Sequence, residues 1–160
     1  MKKLIGLVVL ATLVGCSKSD DVKMISACES VVRMMSTDPT GISINSSSVI
    51  SAAPEESNLR RFAELKSRDG KLSVDQEAAL QVYIRGRAKL KESYVSVDYT
   101  ANQPLGQVRD KAVCWYMNTG RGFELASVSA FGRSISGFQL FAFFVEHGAP
   151  EYLSSSGMIE

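Results

Sequence analysis

The chain has 160 residues, which is enough for one domain with a substantial core and too few for two ordinary domains. Its 18 Lys and Arg residues nearly balance 17 Asp and Glu residues, and the formal net charge is +1. This balance excludes the strongly basic surface of a general nucleic-acid-binding protein, so no nucleic acid is expected as a partner.

Residues 1 to 16 combine a positive start, an apolar run and a terminal cysteine. Lys2 and Lys3 precede the apolar segment Leu4 to Leu13, and the sequence Leu-Val-Gly-Cys then ends at Cys16. This order resembles the lipobox-type signal peptide of bacterial lipoproteins. The resemblance implies cleavage between Gly15 and Cys16, a diacylglyceryl thioether on the Cys16 thiol, and an acyl chain such as palmitate on its freed amine.

The resemblance also implies a location. Ser17 follows the cysteine directly, which is similar to the outer-membrane sorting signal of enteric bacteria. We expect a lipid-anchored protein of the cell envelope, in the outer membrane and facing the periplasm. Two alternatives stay open: an ordinary secretory signal with Cys16 kept as a structural cysteine, and an uncleaved transmembrane helix. The second needs about 20 apolar residues, more than residues 4 to 15 supply.

Removal of residues 1 to 15 leaves 145 residues and changes the formal charge to about −1, because Lys2 and Lys3 are lost. We expect residues 16 to 23 to form a lipidated tether and residues 24 to 160 to form a single domain. The seven residues between Cys16 and Met24 reach roughly 25 Å when extended. The domain is therefore expected close to its membrane.

The sequence of the first part of the domain predicts a helix followed by a strand. The helix would begin at Asp20 or Asp21 as N-cap and end before Pro39. The stretch from Gly41 to Ala53 predicts a strand that is bulged or split at its serines. The apolar side of the helix, spaced by three and four, consists of Met24, Ala27, Cys28, Val31, Val32 and Met35.

Two further helices are predicted to pair as a hairpin. Pro54 followed by Glu55 and Glu56 is typical of a helix N-terminus, and Asp69-Gly70 ends that helix. Ser73 and Gln76 have the spacing of a capping box, which predicts a second helix to about Lys91. The residues expected to be buried are Leu59, Phe62, Ala63, Leu65, Ala79, Leu80, Tyr83 and Leu90.

From Ser93 the period changes to two, which is typical of half-buried strands. Turn residues at 102–106 and 118–122 separate three such strands, the last running from Phe123 to Phe131. The pattern predicts an α+β fold with an antiparallel sheet of three to five strands and helices packed on one face. Val95, Val97, Tyr99 and Ala101 alternate with polar residues on the first strand. Val108, Ala112, Cys114 and Tyr116 share one face of the second, so Cys114 is expected to point to the core.

The chain has three cysteines, an odd number for an exported protein. If Cys16 carries lipid, Cys28 and Cys114 remain as a pair in an oxidising compartment, and a disulfide from helix to sheet is expected. Two buried thiols are the alternative. No CxxC motif or paired histidine accompanies them, so no metal site or cofactor is expected.

Residues 138–145, reading FQLFAFFV, form the most apolar stretch after the signal. This stretch is too short to span a membrane. It predicts a buried strand or short helix, with an exposed aromatic surface for a partner as the alternative.

Catalytic signatures are weak in this sequence, and no catalytic residue is assigned. His147 is the single histidine and is expected in an exposed loop. The segment Gly132 to Gly137 fails the G-x-S-x-G pattern of a nucleophile elbow, because Ser136 stands where glycine is required. The glutamates Glu55, Glu56 and Glu64 could supply paired carboxylates for cleaving a cell-wall glycan, although helix-surface acids are usually solvated. The run Arg85 to Lys91 is basic and is either a solvated helix end or a contact for anionic lipid or phosphorylated glycan.

These observations favour a non-enzymatic envelope lipoprotein that binds another envelope protein or a cell-wall component. The alternative is an immunity, inhibitor or phage-exclusion lipoprotein that blocks an incoming toxin, lytic enzyme or phage. Small size, closeness to the membrane and the lack of a catalytic signature motivate both hypotheses. A cell-wall hydrolase is a third hypothesis, and it requires convergent carboxylates in a cleft.

Overall fold

The structure, a computed structural model, describes residues 19–67, 69–103, 106–154 and 156–159. Within these ranges the elements are, in order, α1 (Asp20–Met35), β1 (Ile42–Ala52), α2 (Glu56–Lys66), α3 (Val74–Arg85), β2 (Lys91–Gln103), β3 (Gly106–Asn118), β4 (Phe123–Ala130), β5 (Arg133–Ser136) and α4 (Gly137–His147). Two short 3-10 turns, Pro39–Gly41 and Arg87–Lys89, precede β1 and β2. The predictions for Gly15 and Cys16 lie outside the described residues.

The five strands form one antiparallel sheet in the order β1-β2-β3-β4-β5. Each strand pairs with its neighbours in sequence, and α2 and α3 are inserted between β1 and β2. The α+β class and the antiparallel sheet are therefore confirmed. The register of β1 against β2 shifts between Ile44 and Ser46, which is the irregularity expected in the serine-rich strand.

α1 packs on one face of the sheet, and all six of its predicted apolar positions are buried there. Ser19, rather than Asp20 or Asp21, caps the helix, because its side chain accepts a hydrogen bond from the Val22 N–H. Cys28 on α1 and Cys114 on β3 form a disulfide. The expected link from helix to sheet is confirmed.

α2 and α3 pack on the opposite face of the sheet, so helices cover both faces and the prediction of a single covered face is corrected. β3 gives the physical reason. Its residues 114–117, Cys-Trp-Tyr-Met, are apolar at every position and all are buried. Cys114 and Tyr116 belong to the core under α1, whereas Trp115 and Met117 pack with α2 and α3. A strand buried on both faces has such a continuous apolar run in place of an alternation.

α3 begins where the sequence predicts and ends earlier. Ser73 and Gln76 form the reciprocal capping box, in which each side chain accepts a hydrogen bond from the other residue's N–H. The helix ends at Arg85 because Gly86, a poor helix former, follows and β2 starts at Lys91. Ala79 and Tyr83, predicted to be buried, are exposed, and Leu80 is the buried residue of this helix.

Two segments cover the outer edge of β4. β5 pairs with its second half, residues 127–130. The C-terminal residues pair with its first half: the Leu125 N–H donates to the Gly157 carbonyl and the Ile159 N–H to the Phe123 carbonyl, each at 2.8 Å. This tail and β5 together satisfy backbone groups that an open edge would leave unpaired.

Candidate functional site

α4 has one buried apolar face and one exposed apolar face. The segment predicted as a buried strand or short helix is a helix, in which Leu140 and Phe144 pack into the main core. Phe138, Phe141 and Val145 are 79%, 48% and 66% exposed. Their spacing of three and four places them along one side of the helix. We call these three residues the α4 stripe.

A groove runs between α4 and α2 beside the α4 stripe. Its volume is about 280 Å³, and its lining is mostly apolar. Phe62 and Leu65 form the α2 side, Phe138 and Phe141 form the α4 side, and β4 forms the floor. The groove and the stripe make a continuous apolar surface that could receive an apolar segment of a partner.

An ion pair joins the end of α2, which lines this groove, to β4. Lys66, the last residue of α2, pairs with Glu124 on β4. Burial lowers the pKa of the Lys66 amine. The same amine lies 5.7 Å from the centre of the Phe62 ring, within range of a cation–π contact. These contacts tie the end of α2 to the sheet and hold one wall of the groove.

Gly137 sets the distance between the two walls. It starts α4 with φ of +52°, a conformation that side chains rarely adopt. A Cβ atom at this position would lie 2.8 Å from the Leu65 carbonyl oxygen on α2. Glycine therefore permits both the sharp entry into α4 and its close approach to α2.

Replacing Gly137 with alanine should lower the free energy of unfolding by about 1–3 kcal/mol, because strain and a backbone clash are introduced together. Urea denaturation followed by circular dichroism measures the change. Gly148→Ala is the matched control, since Gly148 also has positive φ, +84°, but its Cβ would meet nothing within 4 Å. Equal losses in the two variants would show that the approach to Leu65 contributes nothing.

The three glutamates considered for glycan cleavage lie apart from the groove. Glu55 and Glu56 are exposed at the start of α2. Glu64 is eight residues beyond Glu56 on the same helix, a rise of about 12 Å at 1.5 Å per residue. That spacing exceeds the roughly 6.5–9.5 Å between the carboxyl groups of inverting glycosidases. The geometry therefore gives the hydrolase hypothesis no support.

His147 is exposed, as predicted, but it lies in the last turn of α4 and not in a loop. Its Nε2 is 3.8 Å from the Glu146 carboxylate. Its ring centre is 4.6 Å from that of Phe143. The serines Ser134 and Ser136, from the segment compared with a nucleophile elbow, belong to β5. Ser134 accepts a hydrogen bond from the Ser129 hydroxyl, so its described partner is another serine and not the histidine.

A buried polar cluster beneath α2 was not predicted from the sequence. Glu92 is only 5% exposed, and its carboxylate accepts hydrogen bonds from the Asn58 amide at 2.9 and 3.2 Å. The Tyr94 hydroxyl also donates to it at 3.3 Å. Burial, followed by the charge of Glu92, raises the pKa of Tyr94. The sequence signal that could have indicated this cluster is the placement of Glu92 and Tyr94 on the face of β2 opposite to Val95.

The structure also bears on metals and membrane spans. Among residues 19–67, 69–103, 106–154 and 156–159, no group of three or more His, Cys, Asp or Glu side chains is arranged to hold a metal ion. None of the helices in these ranges has both the length and the apolar character needed to cross a bilayer.

Comparison with known proteins gives no relative for this chain. No family model matches the sequence, no curated protein matches it, and no solved structure matches the fold. The candidate site therefore rests on its own geometry: an aromatic stripe on α4 beside an apolar groove.

Proposed function

We propose that this chain is a lipid-anchored lipoprotein of the bacterial cell envelope, without enzymatic activity, that binds another envelope protein through the α4 stripe and the adjoining groove. The order of residues 1 to 16, ending at Cys16, supports the anchor. The observation that carries the binding role is the α4 stripe, because single exposed apolar residues are ordinary but a row of them beside a groove is typical of an interface.

The chemistry of the surface favours a protein partner. Aromatic side chains supply much of the binding energy at interfaces, and they do so when a partner covers them and removes water. The rings of Phe138 and Phe141 lie next to each other, with centres 6.2 Å apart and planes tilted by 36°, so they present one joined apolar surface. An amphipathic helix or an extended apolar segment of the partner would fit the groove between α2 and α4.

The proposed anchor would hold this surface near the membrane. α1 begins at Asp20, within the segment predicted as tether, so three residues separate Cys16 from the helix. Four residue steps span about 14 Å at most. A partner would therefore be an envelope protein at the same membrane surface, and the outer membrane is the location we propose.

The anchor is tested with Cys16→Ala in cells supplied with labelled palmitate. We expect loss of the label and release of the protein from the membrane fraction, because a thioether cannot form on alanine. Cys28→Ala, which removes a different cysteine, should keep the label. Unchanged labelling of Cys16→Ala would show that Cys16 is not the attachment site.

The binding role is tested by placing a photo-crosslinking amino acid at Phe138 or Phe141 in living cells. We expect one defined envelope protein to be crosslinked from both positions. Val108, an exposed residue on β3, is the control position and should not capture it. The same products from all three positions would contradict a specific site on α4. A partner captured only after a toxin, lytic enzyme or phage is supplied would favour the protective alternative.

A further inference from the structure

Three segments lie at the same end of the sheet: the start of α1, the start of β2 and the turn between β3 and β4. The Tyr116 hydroxyl near the end of β3 donates to the Met24 carbonyl in the second turn of α1, at 3.1 Å. Lys91, the first residue of β2, pairs with Asn118, the last residue of β3. The end of the domain that the anchor would reach first is therefore this one.

α3 lies at the same end. It leads through the 3-10 turn Arg87–Lys89 directly into β2. Leu80 and Tyr83 of α3 line a cavity of about 220 Å³ together with Thr119, which follows β3. α3 therefore packs beside the turn that closes this end of the sheet, and its outer side is free of the core.

The outer side of α3 carries a row of exposed apolar residues. Val74 and Val82 are 86% and 61% exposed, and Ala78, midway between them, is exposed as well. Their spacing of four aligns them along one side of the helix.

A basic group follows this apolar row immediately. Its members are exposed and lie at the end of α3, in the 3-10 turn and at the start of β2: Arg85, Arg87, Lys89 and Lys91. None of these four forms an ion pair with another described side chain. Of the nearby acids, Glu77 is paired with Arg60. Asp75, which is exposed, lies in the first turn of α3, at the end of the helix opposite to the basic group, and Asp20 and Asp21 lie in the first turn of α1. In both helices these acids complement the helix dipole.

We propose that α3 and the following basic group form the surface that lies on anionic phospholipid headgroups of the membrane to which the chain is anchored. This proposal rests on the proposed lipid anchor at Cys16. An apolar row next to a basic group is the composition of a helix that lies in the membrane interface. The tether length of about 14 Å keeps this end of the domain within reach of the headgroups.

The test uses the full lipidated protein, purified from membranes and reconstituted in vesicles of phosphatidylethanolamine with phosphatidylglycerol. A spin label is attached at Val82→Cys on α3, or at Val108→Cys at the opposite end of β3 as matched control. Collision with a water-soluble nickel chelate and with oxygen shows whether each label is in water or in lipid. We expect the Val82 label to enter the lipid phase and the Val108 label to stay in water.

The contribution of the basic group to docking is tested with a double variant, Arg87→Gln combined with Lys89→Gln. Each basic residue near an anionic surface is worth about a fivefold change in partitioning, so the pair should lower the ratio of docked to undocked α3 roughly 25-fold. Vesicles of phosphatidylethanolamine alone should give a larger loss for the unchanged protein, because all four basic residues then lack anionic headgroups. Equal docking on both vesicle types would overturn the role of the basic group.

The outcomes separate this proposal from the one it rests on. Protein that floats with the vesicles while both labels stay in water keeps the anchor and overturns docking by α3. Protein that does not float at all overturns the anchor, and the docking proposal with it. If the label at position 82 is in the lipid phase and the label at position 108 is in water, the anchor and the docking proposal are both supported.

Discussion

Replacing both Cys28 and Cys114 with alanine should lower the free energy of unfolding by about 4–5 kcal/mol. The disulfide joins residues 86 positions apart, so it removes a large amount of loop entropy from the unfolded chain. It also joins α1 to the middle of the sheet, where both cysteines are fully buried. Urea denaturation under oxidising conditions measures the loss as a lower midpoint, and non-reducing peptide mass spectrometry verifies the bond in the unchanged protein.

Reductant supplies the control for this prediction. Added reductant should move the midpoint of the unchanged protein towards that of the double variant and leave the variant where it is. A midpoint that does not respond to reductant in the unchanged protein would contradict a stabilising disulfide, as would separate alkylation of the two cysteines in the native protein.

Phe144→Ala should lower the free energy of unfolding by about 3–5 kcal/mol, because it opens a cavity in the main core. Phe138→Ala, in the same helix, should change it by about 0.5 kcal/mol or less, because the Phe138 ring is mostly in water. Thermal or urea denaturation of the two variants measures the difference. The pair compares one residue type on opposite sides of α4.

Binding of the crosslinked partner should be weakened by Phe138→Ala, the change that costs little stability. Phe138→Ala keeps the fold, so any loss of the crosslinked partner reports on the surface alone. If Phe138→Ala destabilises the protein as much as Phe144→Ala, the α4 stripe belongs to the core, and the binding proposal loses its basis.

Much of the fold could be predicted because its periodicities are unambiguous. The spacing of three and four in α1 identified all six buried positions, since a helix against a sheet buries a single stripe. The alternation from Val95 to Ala101 identified the inward face of β2. The pairing of Cys28 and Cys114 then followed from the number of cysteines and from the inward direction of both residues.

Other features could not be predicted because local pattern does not determine them. The run FQLFAFFV is apolar at nearly every position, so periodicity alone cannot separate a buried strand from a helix. In the structure this run is a helix, and Gly137 at its start lets the chain turn sharply against Leu65. The second covered face of the sheet was not predicted, because the burial of Trp115 and Met117 depends on α2 and α3, which precede β3 by tens of residues in the chain.

The candidate site also has one part that the sequence indicated and another that it did not. The exposed aromatic surface was available as an alternative from the sequence, but its neighbour across the groove, α2, is more than 70 residues away in the chain. Glu92 was missed for a related reason, since its hydrogen bonds depend on Asn58 from a helix that folds onto β2. Contacts between distant segments determine both features, and the local sequence indicates at most one side of each contact.

The pairing of residues 157–159 with β4 has a consequence for any variant that lacks them. The first half of β4 would then expose backbone donors and acceptors along its outer edge. An exposed strand edge is a template on which a second chain can pair, so we expect removal of these residues to promote aggregation as well as to lower stability. This short segment thus protects the sheet against association with other copies of the chain.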